Sequence, residues 1–331
     1  MIKGLLSVGE AIYRGGLFGI QRAYGTRLLK THSLFPAQVV SVGNLTWGGT
    51  GKTPMVLQLA KSLSAGGRKV AVLTRGYGAD EADLLSQRLY PIPVLIDPDR
   101  VAAGERAIKE FGADLLILDD GYQQWRLKKD VEILMVNAEA PFGNGHLIPK
   151  GTLREPISAA GRANIIVAKK FGESASQLKD LEKQLRAVNK EAPIFYARYK
   201  PEGLMQWPSG EKVPFAALQQ RKVCSLAGIA HPKQFEKTLL EVGISAAIRC
   251  RMPDHHPYTA GEMIRLFSRC RSHGISHLVT TAKDAVRLPQ LLVKSLGSGL
   301  NGMNIFVLEA ALEFEPDESQ LLHRINSLLA R

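Results

Sequence analysis

Short apolar runs alternate with helix-length segments along the N-terminal half of the chain. The apolar runs are residues 37–43, 69–74, 114–120, 131–137 and 164–170. Segments 55–67, 99–112 and 173–193 have helical patterns, and the first two end at glycine, a common helix stop. Continuous apolar strands separated by helices are typical of parallel sheets covered on both faces. We therefore predict an α/β fold built on a parallel sheet.

A second α/β pattern follows a strand and turn at 194–203 and starts near Pro214. Its strand candidates are residues 223–230, 246–250, 276–284 and 304–314, and its helix candidates are residues 232–242 and 259–274. We place a boundary near residues 195–215. The predicted parts are an N-terminal amphipathic helix at 1–30, a core domain at 31–200 and a smaller C-terminal α/β domain at 201–331.

The N-terminal segment predicts an amphipathic helix. On a helical wheel one broad face carries Ile2, Leu5, Leu6, Ile12, Tyr13, Leu17, Ile20 and Tyr24. The other face carries Lys3, Glu10, Arg14, Gln21 and Arg22. A basic amphipathic helix of this kind can lie in a membrane interface, or it can pack on its own domain. The wheel alone leaves both interpretations open.

The composition fits a globular protein with acidic partners. Hydrophobic residues make up 45% and charged residues 22%, enough to bury a core, and no apolar run reaches the ~18–20 residues that span a bilayer. The net charge of +12 favours nucleic acid, an anionic membrane or phosphorylated ligands, but no basic–aromatic module supports nucleic acid. The three cysteines lack C-x-x-C spacing, so we expect free thiols in a reducing cytoplasm and no zinc site.

The stretch TWGGTGKT at 46–53 is similar to a phosphate-binding loop, but Thr46 stands where G-x-x-x-x-G-K-[ST] has glycine. An apolar strand leads into it and a helical pattern follows, an order that aims backbone N–H groups at phosphate oxygens. The predicted cradle is Thr46, Trp47, Gly48, Gly49, Thr50, Gly51, Lys52 and Thr53. Lys52 would reach the β- and γ-phosphates, and the Thr53 hydroxyl would bind Mg²⁺. A glycine-rich surface turn is the alternative.

A P-loop also needs a carboxylate at the end of a neighbouring strand to hold Mg²⁺. DLLILDDGYQQWRL at 114–127 supplies Asp119 and Asp120 at the end of an apolar run. Open α/β sheets bind ligands at this position. The alternative is a solvated turn, since Asp-Asp-Gly is good turn chemistry.

Four more stretches are polar without clean periodicity: residues 75–85, 141–156, 251–259 and 280–288. The third places Asp254 beside His255 and His256, a pairing suited to acid–base chemistry. The fourth places Lys283 and Asp284 just after a strand candidate. Each stretch alone is typical of an ordinary loop, but their presence together with a P-loop favours a site.

These segments resemble one family, tetraacyldisaccharide 4'-kinase, the lipid A 4'-kinase of Gram-negative bacteria. The matching segments are VSVGNLTWGGTGKTP, TRGYG, DPDRVAA, LDDGYQQWRLKKD, PFGNGHLIPKGTLREP, MPDHHPYT and LVTTAKDAVRL, in family order from residue 40 to 288. The combination of PFGNG…LREP with LDDG[FY]Q is far more specific than a P-loop. The resemblance also implies that 46–53 is a P-loop, because the family has a non-glycine residue at the position of Thr46.

The resemblance implies a two-domain, P-loop NTPase-like α/β kinase. Such an enzyme transfers the ATP γ-phosphate, with Mg²⁺, to the 4'-hydroxyl of a lipid A disaccharide 1-phosphate at the cytoplasmic face of the inner membrane. The resemblance favours the interpretation that residues 1–25 lie in a membrane interface. The net charge of +12 suits an anionic inner-membrane surface. We expect a peripheral monomer with no nucleic-acid partner.

The resemblance also implies roles for single residues. Lys52 and Thr53 would handle phosphate and metal, and Asp119 and Asp120 match the family's paired aspartates. Glu155 would join the metal shell. The remaining residues expected to contact substrate or form the rim of the site are Arg75, Tyr77, Gln123, Asn144 and Arg154.

For the catalytic base, the resemblance points to Asp80, assisted by His255. The family has some twenty residues between R-G-Y-G and its Asp-Glu pair, whereas here they nearly abut, so Asp83 is an alternative base. By the predicted boundary Asp80 and His255 lie in different domains. We therefore expect their pairing to form only on domain closure.

Two other functions compete with this one. A membrane-recruited regulatory P-loop NTPase would explain the loop and the helix but would leave PFGNG…LREP and PDHH without a role. A P-loop kinase or ligase acting on a soluble substrate predicts that the N-terminal helix is buried.

Overall fold

The structure, a computed structural model, describes residues 2–76, 79–288 and 303–330. The helices are α1 (Ile2–Gly25), α2 (Lys52–Ala65), α3 (Ala79–Leu89), α4 (Arg100–Phe111), α5 (Ala175–Val188), α6 (Ala216–Gln219), α7 (Pro232–Glu241), α8 (Ala260–Ser272), α9 (Ala282–Ala285) and α10 (Glu318–Leu329), with a 3-10 helix at Ile157–Arg162. The strands are β1 (Gln38–Gly43), β2 (Val70–Thr74), β3 (Val94–Ile96), β4 (Leu115–Asp119), β5 (Val131–Asn137), β6 (Ile165–Lys169), β7 (Ile194–Trp207), β8 (Lys212–Val213), β9 (Val223–Ala227), β10 (Ala246–Arg251), β11 (His277–Thr281) and β12 (Asn304–Glu315).

The described residues form two compact units. Unit 1 contains residues 2–76, 85–198 and 312–330. Unit 2 contains residues 79–84, 199–288 and 303–311. These ranges differ from the predicted parts because 79–84 belongs to unit 2, whereas α1 and 312–330 belong to unit 1.

Unit 1 contains a parallel sheet in the order β7-β6-β5-β1-β4-β2-β3. Strand β1 lies between β4 and β5, and Val42 of β1 is level with Asp119 of β4. The segments that follow β1 and β4 therefore leave the same edge of the sheet side by side. This confirms the predicted α/β class and brings the glycine loop next to the paired aspartates.

Both faces of the unit 1 sheet are covered by helices. Leu116 and Leu118 of β4 pack in one apolar cluster with Val101 of α4. Side chains alternate along a strand, so the fully buried Leu115 and Ile117 face the opposite side. Helix α2 packs on β1, β2 and β4, and α10 packs on β5.

Helix ends follow signals that are legible in the sequence. Asp99 caps α4 by accepting from the N–H groups of Val101 and Ala102, and Gly112 ends it with a φ of 61°, which suits glycine. Ser174 and Thr259 form capping boxes at the starts of α5 and α8.

In unit 2 the parallel strands lie in the order β10-β9-β11-β12, and β8 pairs antiparallel with β7. Leu226 packs with Phe267 of α8. The neighbouring Val223 and Ala227, which alternate with it along β9, pack with Phe235 of α7. The predicted second α/β domain therefore also has helices on both faces of its sheet.

The structure differs from the local predictions at four places. The polar stretch 75–85, typical of a loop when taken alone, runs into α3, which begins at Ala79. The helix buries Ala82 and Leu85 and carries acidic residues in its first turn, where they stabilise a helix. The strand predicted at 276–284 ends at Thr281, whose hydroxyl caps α9 by accepting from the Asp284 N–H at 3.1 Å. Strand β3 and helix α10 were not predicted.

Helix α1 packs one face on unit 1 and exposes another. Tyr13 and Leu17 contact an apolar cluster of unit 1. Leu5, Val8 and Ile12 are 68%, 60% and 71% exposed. The helix therefore packs on its own domain and still presents an apolar surface. Among the described residues, no helix combines the length and apolarity needed to cross a bilayer.

Candidate active site

The loop at 46–53 begins as an extended segment and ends as the first turn of α2. Thr46 forms a bridge with Leu153, and the Trp47 N–H donates to the Thr152 carbonyl at 2.6 Å. Positive φ angles occur at Gly48 (125°) and Gly51 (89°), and Thr46 is not among the positive-φ residues. Glycine is therefore required later in the loop, and threonine suits the extended first position.

Lys52 lies in a network that we call the P-loop cluster: Asn44, Thr50, Lys52, Asp120 and Arg154. Lys52 Nζ donates to Asn44 Oδ1 at 3.2 Å and lies 3.5 Å from Asp120 Oδ1. Asn44 Nδ2 donates to the Thr50 hydroxyl at 2.9 Å, and Arg154 grips Asp120 with two bonds of 2.7 and 2.9 Å. The cluster thus fixes the lysine at the helix N-terminus.

Asp120 stays ionised in this cluster. Burial alone would raise its pKa, but Lys52 and Arg154 outweigh that effect and lower the pKa of Asp120 to about 2. Its backbone has a φ of 52°, which non-glycine residues rarely adopt. The left-handed conformation at the end of β4 turns this carboxylate toward the loop lysine.

Asp119 is buried beside Asp120 and accepts a hydrogen bond from the Thr74 hydroxyl at 3.1 Å. Arg100, also buried, interacts with it: burial lowers the pKa of Arg100, and the Asp119 charge opposes that shift. Sequence reasoning gave Arg100 no role. The available signal was the DPDR segment at the start of α4, an arginine directly after a helix cap.

Glu155, predicted to join the metal shell, has close partners in unit 1. Glu155 is fully buried, and Arg162 binds its two oxygens with bonds of 2.7 Å each. Gln123 Nε2 also donates to it at 2.8 Å and to the Asn44 carbonyl at 2.9 Å. These bonds hold Gln123 and the segment before Thr46, and the metal-binding role of Glu155 stays a prediction.

The other residues predicted at the rim of the site or in the glycine loop lie outside the P-loop cluster or outside the described residues. Arg75 is exposed, and Tyr77 lies outside the described residues. Asn144 is exposed and bonds within its own loop, to the His146 N–H and the Lys150 carbonyl. Trp47 is 63% exposed at the tip of the glycine loop.

Lys169, at the end of β6, also reaches the loop, which sequence reasoning did not predict. Its side chain is buried, and Nζ donates to the Gly49 carbonyl at 3.2 Å and lies 4.5 Å from the centre of the Phe171 ring. Burial lowers the pKa of Lys169 from its ordinary value of 10.5 to about 7.

Lys169→Met is expected to change how stability depends on pH. Above pH 7 the Lys169 amine is protonated in the unfolded chain but not in the folded chain. The free energy of unfolding of the wild type therefore increases with pH up to about pH 10. The stability advantage of Lys169→Met should be largest below pH 7 and shrink by up to about 1.4 kcal/mol per pH unit above it. Urea unfolding at several pH values tests this, with the exposed Lys179→Met as control. Parallel stability curves for wild type and Lys169→Met would contradict it.

Unit 2 contains the predicted base. His255 Nδ1 lies 3.0 and 3.2 Å from the two carboxylate oxygens of Asp80, which is buried. The prediction that these residues lie in different domains is therefore wrong: α3 begins within unit 2, and the pair is already formed there. Asp83, the alternative base, is exposed on the same helix.

A charged network surrounds this pair, and we call Asp80, Glu81, His255, Lys283 and Arg287 the dyad cluster. Arg287 Nε lies 3.5 Å from Asp80 Oδ2. Lys283 Nζ lies 3.0 Å from Glu81 Oε1 and 3.1 Å from His255 Nε2. His255 itself has a φ of 60°, a conformation that functional sites can hold at some cost.

The fully buried Asp284 holds this network to the residue that follows β9. It accepts from the Gly228 N–H at 3.0 Å, from the Tyr258 hydroxyl at 2.8 Å and from Arg287 at 2.7 Å. Burial, reinforced by the Asp284 charge, raises the pKa of Tyr258. The sequence stretch 280–288 thus contributes a lysine, a buried carboxylate and an arginine to one cluster.

A parallel strand, a glycine loop and a helix that starts at a lysine, with paired aspartates on the next strand, define a P-loop NTPase-like phosphate-binding protein. Comparisons with known proteins narrow this class. The sequence profile described as tetraacyldisaccharide-1-P 4'-kinase (LpxK) matches residues 2–83 and 79–330. The chain belongs to this family.

Individual relatives agree over most of their length. The tetraacyldisaccharide 4'-kinase of Anaeromyxobacter dehalogenans strain 2CP-C is 38% identical over 307 residues, which cover 83% of this chain and 81% of the relative. That of Geobacter metallireducens is 37% identical over 315 residues, covering 88% and 90%. A crystal structure of LpxK from Aquifex aeolicus in complex with ATP has a TM-score of 0.73 at 26% identity and covers 99% of each chain.

Proposed function

We propose that this protein is a kinase of lipid A biosynthesis that transfers the γ-phosphate of ATP to the 4'-hydroxyl of a tetraacyldisaccharide 1-phosphate. Family membership supports the reaction. The observation that carries it is the buried Asp80 paired with His255. A regulatory NTPase that acts without an acceptor alcohol would leave this base, in a chain that also has a P-loop, without a role.

In this proposal unit 1 holds the nucleotide. The N–H groups of the glycine loop and the start of α2 bind the phosphates, and Lys52 neutralises their charge. Thr53, Asp119 and Asp120 offer a hydroxyl and two carboxylates, the hard oxygen donors that Mg²⁺ prefers. When bound, Mg²⁺ supplies further charge neutralisation on the β- and γ-phosphates.

Unit 2 supplies the base. Asp80 accepts the proton of the 4'-hydroxyl as that oxygen bonds to the γ-phosphorus. The bond between the γ-phosphorus and the oxygen that bridges it to the β-phosphate breaks in the same step, and ADP leaves. His255 holds the Asp80 carboxylate in place. Its burial and its contact with His255 favour Asp80 over the exposed Asp83. Such catalysis depends mainly on positioning and charge stabilisation.

We also propose that the protein acts as a peripheral monomer at the cytoplasmic face of the inner membrane and meets the lipid through α1. The helix exposes Leu5, Val8 and Ile12, while Tyr13 and Leu17 hold it on unit 1. The net charge of +12 adds attraction to anionic lipid. This arrangement combines a fixed helix with a free apolar surface.

The double variant Leu5→Glu, Ile12→Glu is expected to weaken binding to anionic phospholipid vesicles about tenfold or more. Each apolar side chain contributes roughly 1.5–3 kcal/mol when fully buried, and a carboxylate loses that and is repelled by anionic lipid. Vesicle sedimentation measures the change. Leu240→Glu, the same change at an exposed leucine of unit 2, is the control and should bind as wild type. Unchanged binding of the double variant would show that α1 does not contact the membrane.

The proposed reaction is tested by transfer of ³²P from γ-labelled ATP to a tetraacyldisaccharide 1-phosphate in detergent micelles. We expect a phosphorylated lipid that forms only when ATP and the acceptor are both present. Release of free phosphate alone, with or without lipid, would favour the regulatory NTPase. Transfer to a soluble acceptor but not to the lipid would favour a different P-loop kinase.

A further inference from the structure

The imidazole of His255 is held at both nitrogens. Nδ1 lies 3.0 Å from Asp80 Oδ2, and Nε2 lies 3.1 Å from Lys283 Nζ. Lys283 Nζ also lies 3.0 Å from Glu81 Oε1. Because Asp80 and Glu81 are consecutive in α3, the four side chains form a closed ring, joined on one side by the backbone.

This ring determines where the imidazole proton lies. A lysine ammonium has three donor hydrogens and no acceptor, so Nε2 of His255 must accept from Lys283. The hydrogen of a neutral imidazole then lies on Nδ1, where it donates to Asp80. A second proton, on Nε2, would face the ammonium of Lys283 at 3.1 Å, a contact between like charges.

We propose that Lys283 is a positioning residue that holds His255 as the tautomer protonated on Nδ1. In that tautomer the imidazole donates to Asp80 and keeps the carboxylate oriented as a proton acceptor. With the hydrogen on Nε2, a lone pair of Nδ1 would face the carboxylate and the pair would separate. The inference rests on the proposed kinase function, in which Asp80 is the base.

Each member of the Asp-Glu pair then has its own task. Asp80 accepts the proton, and Glu81 holds the lysine that sets the tautomer. Asp254 Oδ1, 3.5 Å from Lys283 Nζ, is a second carboxylate on the same ammonium. A mere ion pair of Lys283 with these carboxylates would not require the 3.1 Å contact with the imidazole.

The tautomer is measured directly by long-range ¹H–¹⁵N NMR on the full chain labelled with ¹⁵N-histidine, without substrate. The chain has eight histidines, and a His255→Asn variant assigns the signal. We expect the hydrogen on Nδ1 in wild type and on Nε2, or exchanging between both nitrogens, in Lys283→Met. Lys283→Arg should retain the wild-type signal, because arginine also only donates. The exposed Lys222→Met is the matched control in unit 2 and should match wild type.

Kinetics separate positioning from substrate binding. Lys283→Met should lower kcat roughly tenfold, as losing a group that orients another typically does, while KM for ATP and lipid stays within about twofold. Lys283→Arg should recover most of kcat. A wild-type hydrogen on Nε2, or an unchanged tautomer in Lys283→Met, would overturn the proposal. If Lys283→Met does not fold, the wild-type spectrum still decides. If wild type makes no phosphorylated lipid, the proposed function fails, and the tautomer result is read independently.

Discussion

Asp80→Asn is expected to lower kcat for lipid phosphorylation about 10²- to 10⁴-fold, the range typical for loss of a general acid–base group. Asparagine preserves the size and the burial of the side chain but cannot take up the hydroxyl proton. Asp80 is buried against His255 and lies 3.5 Å from Arg287 Nε. The substitution therefore removes the base without opening a cavity. The ³²P transfer assay, at saturating ATP and lipid, measures the change.

Asp83→Asn is the matched control, because it makes the same change three residues further along α3 at an exposed position. It should retain activity within about twofold, as surface substitutions usually do. Urea unfolding of both variants separates a loss of fold from a loss of chemistry. A folded Asp80→Asn with near-normal kcat would exclude Asp80 as the base, and an inactive Asp83→Asn would restore the alternative.

The sequence predicts the elements of the P-loop cluster because their signals are local. The apolar run before Thr46, the glycines and Lys52 occupy one continuous stretch. Asp119 ends the next buried strand in the sheet, and Asp120 directly follows it. In a parallel sheet, adjacent strands end at the same edge, so this part of the site follows from the strand order. Helix starts at Asp99, Ser174 and Thr259 are legible for the same reason.

The rest depends on side-chain packing that no sequence pattern encodes, some of it between residues far apart in the chain. Glu155 reads as a polar loop residue, yet its partner Arg162 lies in the following 3-10 helix and takes both its oxygens. Asp80 and His255 are 175 positions apart, so their assignment to one unit depends on where α3 packs. The polar stretch 75–85 ends inside α3, so the helical spacing of Ala82, Leu85 and Leu89 is not apparent within it.

Two buried charged residues near the P-loop cluster, Lys169 and Arg100, were not predicted for the same reason. Lys169 ends a strand whose other residues are apolar, and nothing beside it in sequence indicates that its amine reaches Gly49. Arg100 follows a helix cap, a position where an exposed side chain is the ordinary expectation, yet it is buried near Asp119. In both cases burial and a distant partner, not residue type, give the side chain its role.

Lys52→Ala is expected to lower kcat/KM for ATP about 10²- to 10³-fold, a loss typical for removing one group that stabilises developing charge in a transition state. Lys52 Nζ lies between Asn44 Oδ1 and Asp120 Oδ1, so it is fixed before nucleotide binds and needs little reorganisation. The fold should survive, because Arg154 keeps both of its bonds to Asp120. Lys52→Arg should not rescue activity, since a planar fork does not replace a point charge at this position.

Lys61→Ala is the matched control: the same change on the same helix, at an exposed lysine two and a half turns away. It should leave kcat/KM within about twofold of wild type. Thermal unfolding should show Lys52→Ala close to wild type, so that its lost activity reflects phosphate stabilisation. If Lys52→Ala keeps half of the wild-type activity, the loop at 46–53 does not bind the transferred phosphate, and the nucleotide must be held elsewhere. If it loses lipid phosphorylation while Asp80→Asn still binds ATP normally, the two clusters have separate tasks, with the phosphate donor held by the P-loop cluster and the acceptor hydroxyl deprotonated by Asp80.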